Sequence, residues 1–224
     1  IADQVRFVEG DLLEGANLLH LLKEIEPDEI YNLAAQSFVG SSFDTPAFTI
    51  DANALGTCRL LEAYRERCPD ARFYQASTSE MFGNVSQAPQ NEDTPFDPQS
   101  PYAISKVCAH HLVRNYREAY SLFCVSGILF NHESPLRGEE FVTRRITHGL
   151  AQVRLGRIEC LELGNLAARR DWGCAEDYVE GMTRILRADT PRDYVLATGV
   201  SHSVEEFADA AARAAGFDPD WQGE

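Results

Sequence analysis

The sequence predicts an α/β fold in which helices cover both faces of a parallel β-sheet. Short apolar segments typical of strands alternate with longer segments whose apolar residues recur at helical spacing. Neither a repeat nor a low-complexity tract interrupts this alternation over residues 1–135. Parallel strands need crossover connections of about helical length, so the alternation predicts parallel pairing.

The first predicted elements are a strand and a helix. Residues 5–8 alternate apolar and polar side chains and run into a turn at Gly10, a pattern typical of a strand. Residues 15–25 place leucine and isoleucine side chains on one side of a helix. Pro27 and Asp28 follow, and we expect the helix to end before them because proline lacks the N–H that helix continuation requires.

Further strands and helices follow in alternation. Residues 29–34 and 72–77 are short, mostly apolar runs and are predicted to be buried strands. A helix is predicted over residues 46–68, where small side chains permit close packing. The next helix is predicted over residues 101–120 and the next strand over residues 123–130.

After residue 135 the pattern is less regular. We predict helices at 141–155, 177–188 and 204–215, and extended segments at 160–163 and 194–197. We interpret residues 136–224 as the last sheet elements together with part of a small second domain.

The composition argues against several classes of protein. A formal charge of −15 and a pI near 4.8 argue against nucleic acid or anionic membranes as partners. No apolar run approaches the roughly 18 residues of a membrane span, and residues 1–10 are no signal peptide. The six cysteines lie at least ten positions apart, which favours reduced thiols in a cytoplasmic protein. His110 and His111 lack a third ligand at useful spacing, so we predict no metal site.

The strongest local signal is the pair Tyr102 and Lys106. Residues four apart share a helix face, so the phenol and the ammonium can converge on one ligand. A nearby cation lowers the pKa of tyrosine, which makes it usable as a base near neutral pH. With eight tyrosines and two lysines, chance gives only about 0.07 Tyr-x-x-x-Lys matches. The alternative interpretation is an exposed helix pair without a catalytic role.

A second group of polar residues follows the strand predicted at 72–77. Ser77, Thr78, Ser79 and Glu80 emerge at the carboxyl end of that strand, which is where open α/β sheets bind ligands. By themselves the hydroxyls would be ordinary loop residues. Glu80 adds a second acid/base beside the Tyr–Lys pair, which removal of water from a sugar requires and simple oxidoreduction does not.

At these residues the chain resembles the extended short-chain dehydrogenase/reductase superfamily and, within it, the GDP-mannose 4,6-dehydratase family. The matching strings lie at 31–37, 75–80, 100–106, 130–135, 141–144, 163–166 and 170–173. Tyr-x-x-x-Lys is typical of the whole superfamily, whereas Thr-Ser-Glu, Asn-His-Glu-Ser-Pro and Arg-Asp-Trp-Gly are more specific. The resemblance runs from Gly10 to at least Phe207.

The resemblance implies an NAD(P)-binding Rossmann-type, doubly wound parallel sheet whose N-terminal strands are missing, with part of a small C-terminal substrate domain. Residues 1–135 would form the partial cofactor-binding domain, and residues 136–224 a substrate-binding region interleaved with the last Rossmann elements. The implied activity removes water from GDP-mannose through transient oxidation by bound NADP, giving GDP-4-dehydro-6-deoxy-D-mannose.

The resemblance also implies roles for individual residues. Tyr102 would deprotonate the 4-hydroxyl of the sugar, Thr78 would hold that hydroxyl, and Glu80 would take the carbon 5 proton. The implied cofactor contacts, including the ribose-binding Lys106, are Asp11, Leu12, Leu33, Ala34, Ala35, Gln36, Ser37, Phe48, Ser77, Lys106, His132 and Arg137. The implied substrate contacts are Asn131, Arg145 and Arg170.

Some of these positions also have simpler interpretations or depart from the family. Without the resemblance, His132 would be a hydrogen-bonded core residue and Trp172 a packing residue. Leu136 stands where the family often has a basic residue, Arg145 where lysine is common and Phe48 where tyrosine is frequent. A hydroxyl contact to the cofactor is therefore in doubt at residue 48.

Three alternatives remain open at this point. Another nucleotide-sugar 4,6-dehydratase is one, although those acting on dTDP-glucose typically carry Asp-Glu where this chain has Ser79 and Glu80. A 4-epimerase is the second, although epimerases usually lack the glutamate. A non-catalytic cofactor-binding scaffold is the third, and the presence of the whole catalytic set argues against it.

The glycine-rich turn that holds a dinucleotide pyrophosphate is not found in the sequence. We therefore expect the chain to be truncated at its N-terminus and, as given, to be inactive. The choice of NADP rests on the resemblance, and NAD is not excluded. The family further implies a homo-oligomer, either a dimer or a tetramer, acting on a nucleotide sugar.

Overall fold

The computed structural model describes residues 4–85 and 87–222. The chain divides into two compact units. The first, called the sheet unit below, consists of Ile1–Leu129 and Glu180–Leu196, and the second of Phe130–Val179 and Ala197–Glu224. No helix within the described residues is long and apolar enough to cross a membrane.

The sheet unit is built on a parallel four-stranded sheet. Its strands are β1 (Glu29–Asn32), β2 (Arg72–Thr78), β3 (Cys124–Leu129) and β6 (Asp193–Leu196), in the order β1-β2-β3-β6. All three pairings are parallel. The α/β class and the parallel pairing predicted from the alternating pattern are therefore confirmed, and the four strands lie within two residues of their predicted bounds.

The helices of the sheet unit are α1 (Gly15–Ile25), α2 (Val39–Asp44), α3 (Pro46–Ile50), α4 (Gly56–Arg67) and α5 (Pro101–Tyr120). Helix α5 has the predicted bounds because both ends are encoded locally. The Ser100 hydroxyl caps it by accepting from the Ala103 N–H, and Pro101 occupies its first turn. At the other end Ser121 adopts a left-handed conformation with φ of 56°.

The helix predicted over residues 46–68 is interrupted by a π turn. Asp51–Leu55 form i→i+5 hydrogen bonds between α3 and α4. Such turns are rare and are frequently found at functional sites. The sequence pattern did not predict it, because the five residues Asp51–Leu55 are too few to show a period of their own.

The core of the sheet unit lies between β2 and β3 on one side and α1, α4 and α5 on the other. Leu61, Tyr64, Phe73 and Val113 are fully buried there. The Tyr64 ring stacks on Phe73 at 5.5 Å, and its hydroxyl donates to the Ala71 carbonyl at 2.8 Å. This core fixes α5 against the sheet and so fixes the residues that α5 carries.

The second unit contains a three-stranded sheet and two packed helices. Strands β4 (Asn131–Glu133) and β5 (Arg169–Cys174) pair in parallel, and β7 (Ser201–Ser203) pairs antiparallel to β5. Helices α6 (Val142–Arg154) and α8 (Val204–Ala214) pack together, while α7 spans Ala175–Leu186. The predicted packing role of Trp172 is confirmed, since its ring lies 5.4 Å from Phe207 in this core.

Two strand predictions were wrong. Residues 5–8 form no strand, and Phe7 is 87% exposed. A strand needs a ladder partner, and no described strand pairs with this segment. Residues 160–163 also form no strand. Leu161 and Leu163 pack instead against the core between α6 and α8. Helix α2 and strands β4, β5 and β7 were not predicted, because their residues are mostly polar or small and show no apolar pattern.

Candidate functional site

Tyr102 and Lys106 lie one turn apart at the start of α5, and both side chains are buried. The Ser105 hydroxyl donates to the Tyr102 carbonyl at 2.7 Å, which ties the first turn together. The capped start of the helix therefore sets where both residues sit. The predicted common face is present in the structure.

Lys106 holds its ammonium against the sheet. Its Nζ donates to the Ala76 carbonyl of β2 at 2.7 Å, and the side chain is only 4% exposed. Burial lowers the pKa of Lys106 to about 8. An ammonium has three N–H donors, and within the described part of the chain this one makes a single hydrogen bond. The remaining donors suit a ligand with hydroxyl oxygens.

The residues after β2 form a short 3₁₀ turn, Ser79–Met81, against α5. Thr78 caps this turn, because its Oγ1 accepts from the Glu80 N–H at 3.2 Å. Thr78 and Glu80 are both half-buried. The structure thus places Thr78 and Glu80 where the end of β2 meets the helix that carries Tyr102 and Lys106.

The loop after β1 is held by a buried side chain that the sequence analysis missed. Asn53, in the π turn, accepts from the Gln36 N–H at 2.8 Å and donates to the Gln36 carbonyl at 3.0 Å. Its Nδ2 also lies 3.0 Å from the Ser105 hydroxyl on α5. Asn53 therefore joins the loop of residues 33–37 to the Tyr–Lys helix. Asn53 lies four residues from both Thr49 and Thr57, and this polar stripe inside a predicted helix was the signal available in the sequence.

Beneath the end of β2 lies a buried polar chain. The Ser77 hydroxyl is 3.2 Å from His110 Nδ1, and His110 Nε2 is 3.8 Å from Asp193. Arg117 forms two 2.9 Å hydrogen bonds with Asp193. Burial alone would raise the pKa of Asp193, but the hydrogen bonds from Arg117, the nearby positive charge and the Ser126 N–H together outweigh it and lower that pKa. Burial lowers the pKa of His110 to about 4, so its imidazole is neutral at pH 7.

The other residues predicted for the cofactor occupy more open positions of the sheet unit. Asp11 lies in an exposed turn, where its carboxylate accepts from the Leu13 N–H at 2.9 Å. Leu12 packs against the helical core. In the loop after β1, Leu33, Ala34 and Ser37 are exposed while Ala35 and Gln36 are half-buried. Phe48 is exposed on α3.

Three of the predicted site residues, Asn131, His132 and Arg137, lie within or shortly after β4. His132 stacks on Tyr178 with ring centroids 4.7 Å apart, and its Nδ1 lies 2.9 Å from the Phe130 carbonyl. Arg137 Nε lies 3.3 Å from Glu133. Asn131 is half-buried in β4. The structure therefore shows packed, oriented side chains at these three positions.

Arg145 and Arg170 line one pocket of the second unit. Its volume is about 260 Å³, and its other lining residues include Glu140, Asn165 and the backbone at Gly164. Both arginine side chains are exposed. In a chain with a net charge of −15, a pocket with two guanidinium groups is a local site for an anion.

A sequence profile of the GDP-mannose 4,6 dehydratase family matches residues 1–224. The chain belongs to this family. A GDP-mannose 4,6-dehydratase from Vibrio cholerae is 52% identical over 216 residues, which is 96% of this chain and 58% of that protein. One from Sinorhizobium fredii is 54% identical over 96% of this chain and 62% of that protein. The chain therefore spans less than two thirds of the length of these family members.

Solved structures confirm the fold. RMD from Pseudomonas aeruginosa, solved with NADPH, superposes with a TM-score of 0.89 at 28% identity, over 94% of this chain and 73% of that one. The dTDP-glucose 4,6-dehydratase DesIV from Streptomyces venezuelae, solved with NAD, gives a TM-score of 0.86 at 26% identity, over 95% and 64%. The chain therefore has the Rossmann-type fold of enzymes that bind a nicotinamide cofactor.

The residues present fit such a cofactor. Lys106 offers ammonium donors that suit ribose hydroxyls. The backbone of residues 33–37 emerges at the carboxyl edge of the sheet, where Asn53 holds it in place. Among the described residues, no group of three or more His, Cys, Asp or Glu side chains could hold a metal ion.

Proposed function

We propose that the whole protein removes water from GDP-mannose and forms GDP-4-dehydro-6-deoxy-D-mannose. The observation that carries this proposal is the presence of two acid/base groups, Tyr102 and Glu80, around the junction of β2 and α5. Family membership and about 50% identity to GDP-mannose 4,6-dehydratases support the substrate. A redox reaction alone would need only one of the two groups.

In the first step Tyr102 takes the proton of the sugar 4-hydroxyl while carbon 4 is oxidised to a ketone. Thr78 holds that hydroxyl. The ammonium of Lys106 favours the phenolate form of Tyr102 when charged, because an opposite charge stabilises an anion. Bound NADP, which we propose as the cofactor, would supply the hydride exchange that oxidises carbon 4 and later reduces carbon 6, and Lys106 would hold its ribose.

In the second step Glu80 takes the proton of carbon 5, which the neighbouring ketone has made acidic. Glu80 passes this proton to the hydroxyl of carbon 6, which leaves as water. Carbon 6 then becomes a methyl group by hydride return, carbon 5 takes a proton from solvent through Glu80, and Tyr102 releases to solvent the proton that it took from the 4-hydroxyl. The half-buried position of Glu80 after β2 supports this role, since the group can reach both substrate and solvent.

The cofactor contacts that the family resemblance implies are part of this proposal. We propose contacts from Asp11, Leu12, Leu33, Ala34, Ala35, Gln36, Ser37, Phe48, Ser77, Lys106, His132 and Arg137. The choice of NADP over NAD is supported by the NADPH bound to RMD from Pseudomonas aeruginosa. The contact at Phe48 would be apolar, because its ring carries no hydroxyl.

The nucleotide part of the substrate would bind to the second unit. We propose that Arg145 and Arg170 contact its phosphates, since both line the same pocket and both are permanently charged. Asn131 would contact the sugar. These contacts supply positive charge locally in an acidic chain.

An isotope experiment tests the proposed reaction. The whole protein is incubated with GDP-mannose carrying ¹⁸O at carbon 6 and deuterium at carbon 4, and the product is analysed by mass spectrometry. We expect loss of the ¹⁸O and transfer of deuterium to carbon 6. Retention of ¹⁸O with inversion at carbon 4 would indicate an epimerase, and unchanged substrate would indicate a scaffold. The control is Tyr102→Phe, which should lower turnover by about 10²–10⁴-fold.

We further propose a cytoplasmic homo-oligomer, either a dimer or a tetramer. Large apolar side chains are exposed on the sheet unit, among them Phe43, Phe48, Leu55 and Ile104. Exposed apolar surface of this kind is typical of protein interfaces. All six cysteines are free thiols, which suits a reducing compartment. Light scattering coupled to size-exclusion chromatography would report the mass, and a monomer would contradict the proposal.

A further inference from the structure

The Ala76 carbonyl, which accepts a hydrogen bond from Lys106, also accepts one from a second side chain. The β1–β2 register ends at the pair Asn32 and Gln75, so Ala76 lies one residue beyond the ladder on that side. The Ala76 carbonyl accepts from Lys106 Nζ at 2.7 Å and from Gln75 Nε2 at 3.2 Å. A carbonyl oxygen has two lone pairs, and here each has a donor.

The Gln75 amide is itself oriented by a buried partner. Its Oε1 accepts from Asn32 Nδ2 at 2.8 Å, which directs its Nε2 toward Ala76. Asn32 Nδ2 also lies 3.3 Å from the Thr57 hydroxyl, which donates to the Asn53 carbonyl at 2.7 Å. Gln75 is 1% exposed and Asn32 is 3% exposed. Water therefore cannot replace either partner without rearrangement of the fold.

A glutamine in this position needs a reason beyond stability. Burying an amide in the middle of a sheet is costly unless its hydrogen bonds are made, and an apolar side chain would avoid that cost. The two bonds that Gln75 makes connect the end of β1 with the carbonyl that receives the ammonium. Because the Gln75 amide occupies one lone pair of the Ala76 carbonyl, the Lys106 ammonium can bond only to the other lone pair.

We propose that Gln75 is a positioning residue for Lys106. Through the shared Ala76 carbonyl it confines the ammonium to the place from which it reaches the cofactor ribose. The proposal rests on the cofactor contact assigned to Lys106 above. Gln75 does not touch the cofactor itself, so its effect must pass through Lys106.

A double-mutant cycle on cofactor binding tests this. NADPH, with NADH in parallel, is titrated by calorimetry into the complete gene product and into Gln75→Met, Lys106→Met and the double variant. We expect Gln75→Met to weaken binding about 5- to 10-fold, the effect of one hydrogen bond. In the Lys106→Met background the same substitution should have no further effect. Tyr74→Phe is the matched control. Tyr74 is a buried neighbour in β2, and its hydroxyl has no hydrogen-bond partner in the described chain. The affinity of this variant for NADPH should be unchanged.

The outcomes separate this proposal from the one on which it rests. If Lys106→Met binds as tightly as the unchanged protein, the cofactor contact of Lys106 is refuted and the role of Gln75 with it. If Lys106→Met binds weakly but the two losses add, or Gln75→Met binds normally, only the role of Gln75 is refuted. If Gln75→Met does not show a cooperative unfolding transition, Asn32→Ser replaces it in the double-mutant cycle. We then expect Asn32→Ser to weaken cofactor binding only when Lys106 is present, and additive losses would refute the role of Gln75.

Discussion

Replacing Lys106 with methionine should stabilise the cofactor-free protein at pH 7 although it removes a residue of the proposed site. The Lys106 side chain is 4% exposed, and burial lowers its pKa from 10.5 to about 8. One pKa unit corresponds to about 1.4 kcal/mol, so keeping the charge buried costs about 3 kcal/mol below pH 8. The hydrogen bond to the Ala76 carbonyl offsets about 2 kcal/mol of this cost. The net expected gain on substitution is about 1 kcal/mol.

The gain should depend on pH in a defined direction. Between about pH 8 and pH 10.5 the unfolded chain holds the Lys106 proton more often than the folded protein does. The stability of the unsubstituted protein therefore rises with pH across that window. The variant lacks the group, so its advantage should fall by about 3 kcal/mol between pH 7 and pH 10.5. Groups shared by the two proteins cancel in this difference.

Urea unfolding followed by circular dichroism at pH 7, 8, 9 and 10, without cofactor, measures this difference. The matched control is Lys23→Met, which replaces the only other lysine of the chain, an exposed residue in the last turn of α1. That control should differ from the unchanged protein by less than about 0.5 kcal/mol at every pH. A difference for Lys106→Met that does not vary with pH would refute the assignment of Lys106 as a buried cation.

Three further predictions concern the chemistry and the core. Glu80→Gln should still oxidise carbon 4 but should stop exchange of the carbon 5 proton with deuterated solvent, as followed by NMR. Asp193→Asn should lower the free energy of unfolding by about 3–5 kcal/mol, because Arg117 would remain buried without a counter-charge. Gly127→Ala should cost about 1–3 kcal/mol in urea unfolding, since a Cβ there would lie 2.1 Å from the Tyr74 hydroxyl, and adding Tyr74→Phe should recover part of that loss.

Each of these has a control or a contradicting result. Undiminished exchange in Glu80→Gln would mean that another group removes the carbon 5 proton. Glu118→Gln, which breaks the exposed pair with Arg114, should change stability by less than about 1 kcal/mol. An equally small effect of Asp193→Asn would contradict the buried pair. If the combined substitution at residues 127 and 74 is no more stable than Gly127→Ala, the clash is not with the tyrosine hydroxyl.

The regular elements of the sheet unit were predictable because their signals are local. Helix α5 carries its own cap, its own proline and a twenty-residue amphipathic pattern. Strand β3 is buried along its whole length and β2 over its middle, so both appear as short runs rich in apolar residues. The strand predicted at residues 5–8 was wrong because a strand depends on a partner strand elsewhere in the chain, and the local alternation of residues does not show whether that partner is present.

The candidate site was predictable only in part. The four-residue spacing of Tyr102 and Lys106 identified them as candidates, and Glu80 was identified by its position directly after a predicted strand. Asn53 and Gln75 were not identified, because their importance depends on carbonyl groups that come close only in the folded chain. Asparagine and glutamine inside apolar segments were nevertheless visible, and a buried amide always requires partners.

The π turn at Asp51–Leu55 rotates the helical residues before it relative to those after it. Such a turn holds one residue more than the regular spiral, and one residue corresponds to a rotation of about 100°. Deleting a residue there would restore a continuous α-helix while turning α3 and the loop-holding amide away from the face they now share. The core-facing side of α4 would remain where it is. The inserted residue thus lets α3 and Asn53 face the loop while α4 faces the core, and without it the buried side chains of Thr49 and Asn53 would lose their present contacts to Gln36.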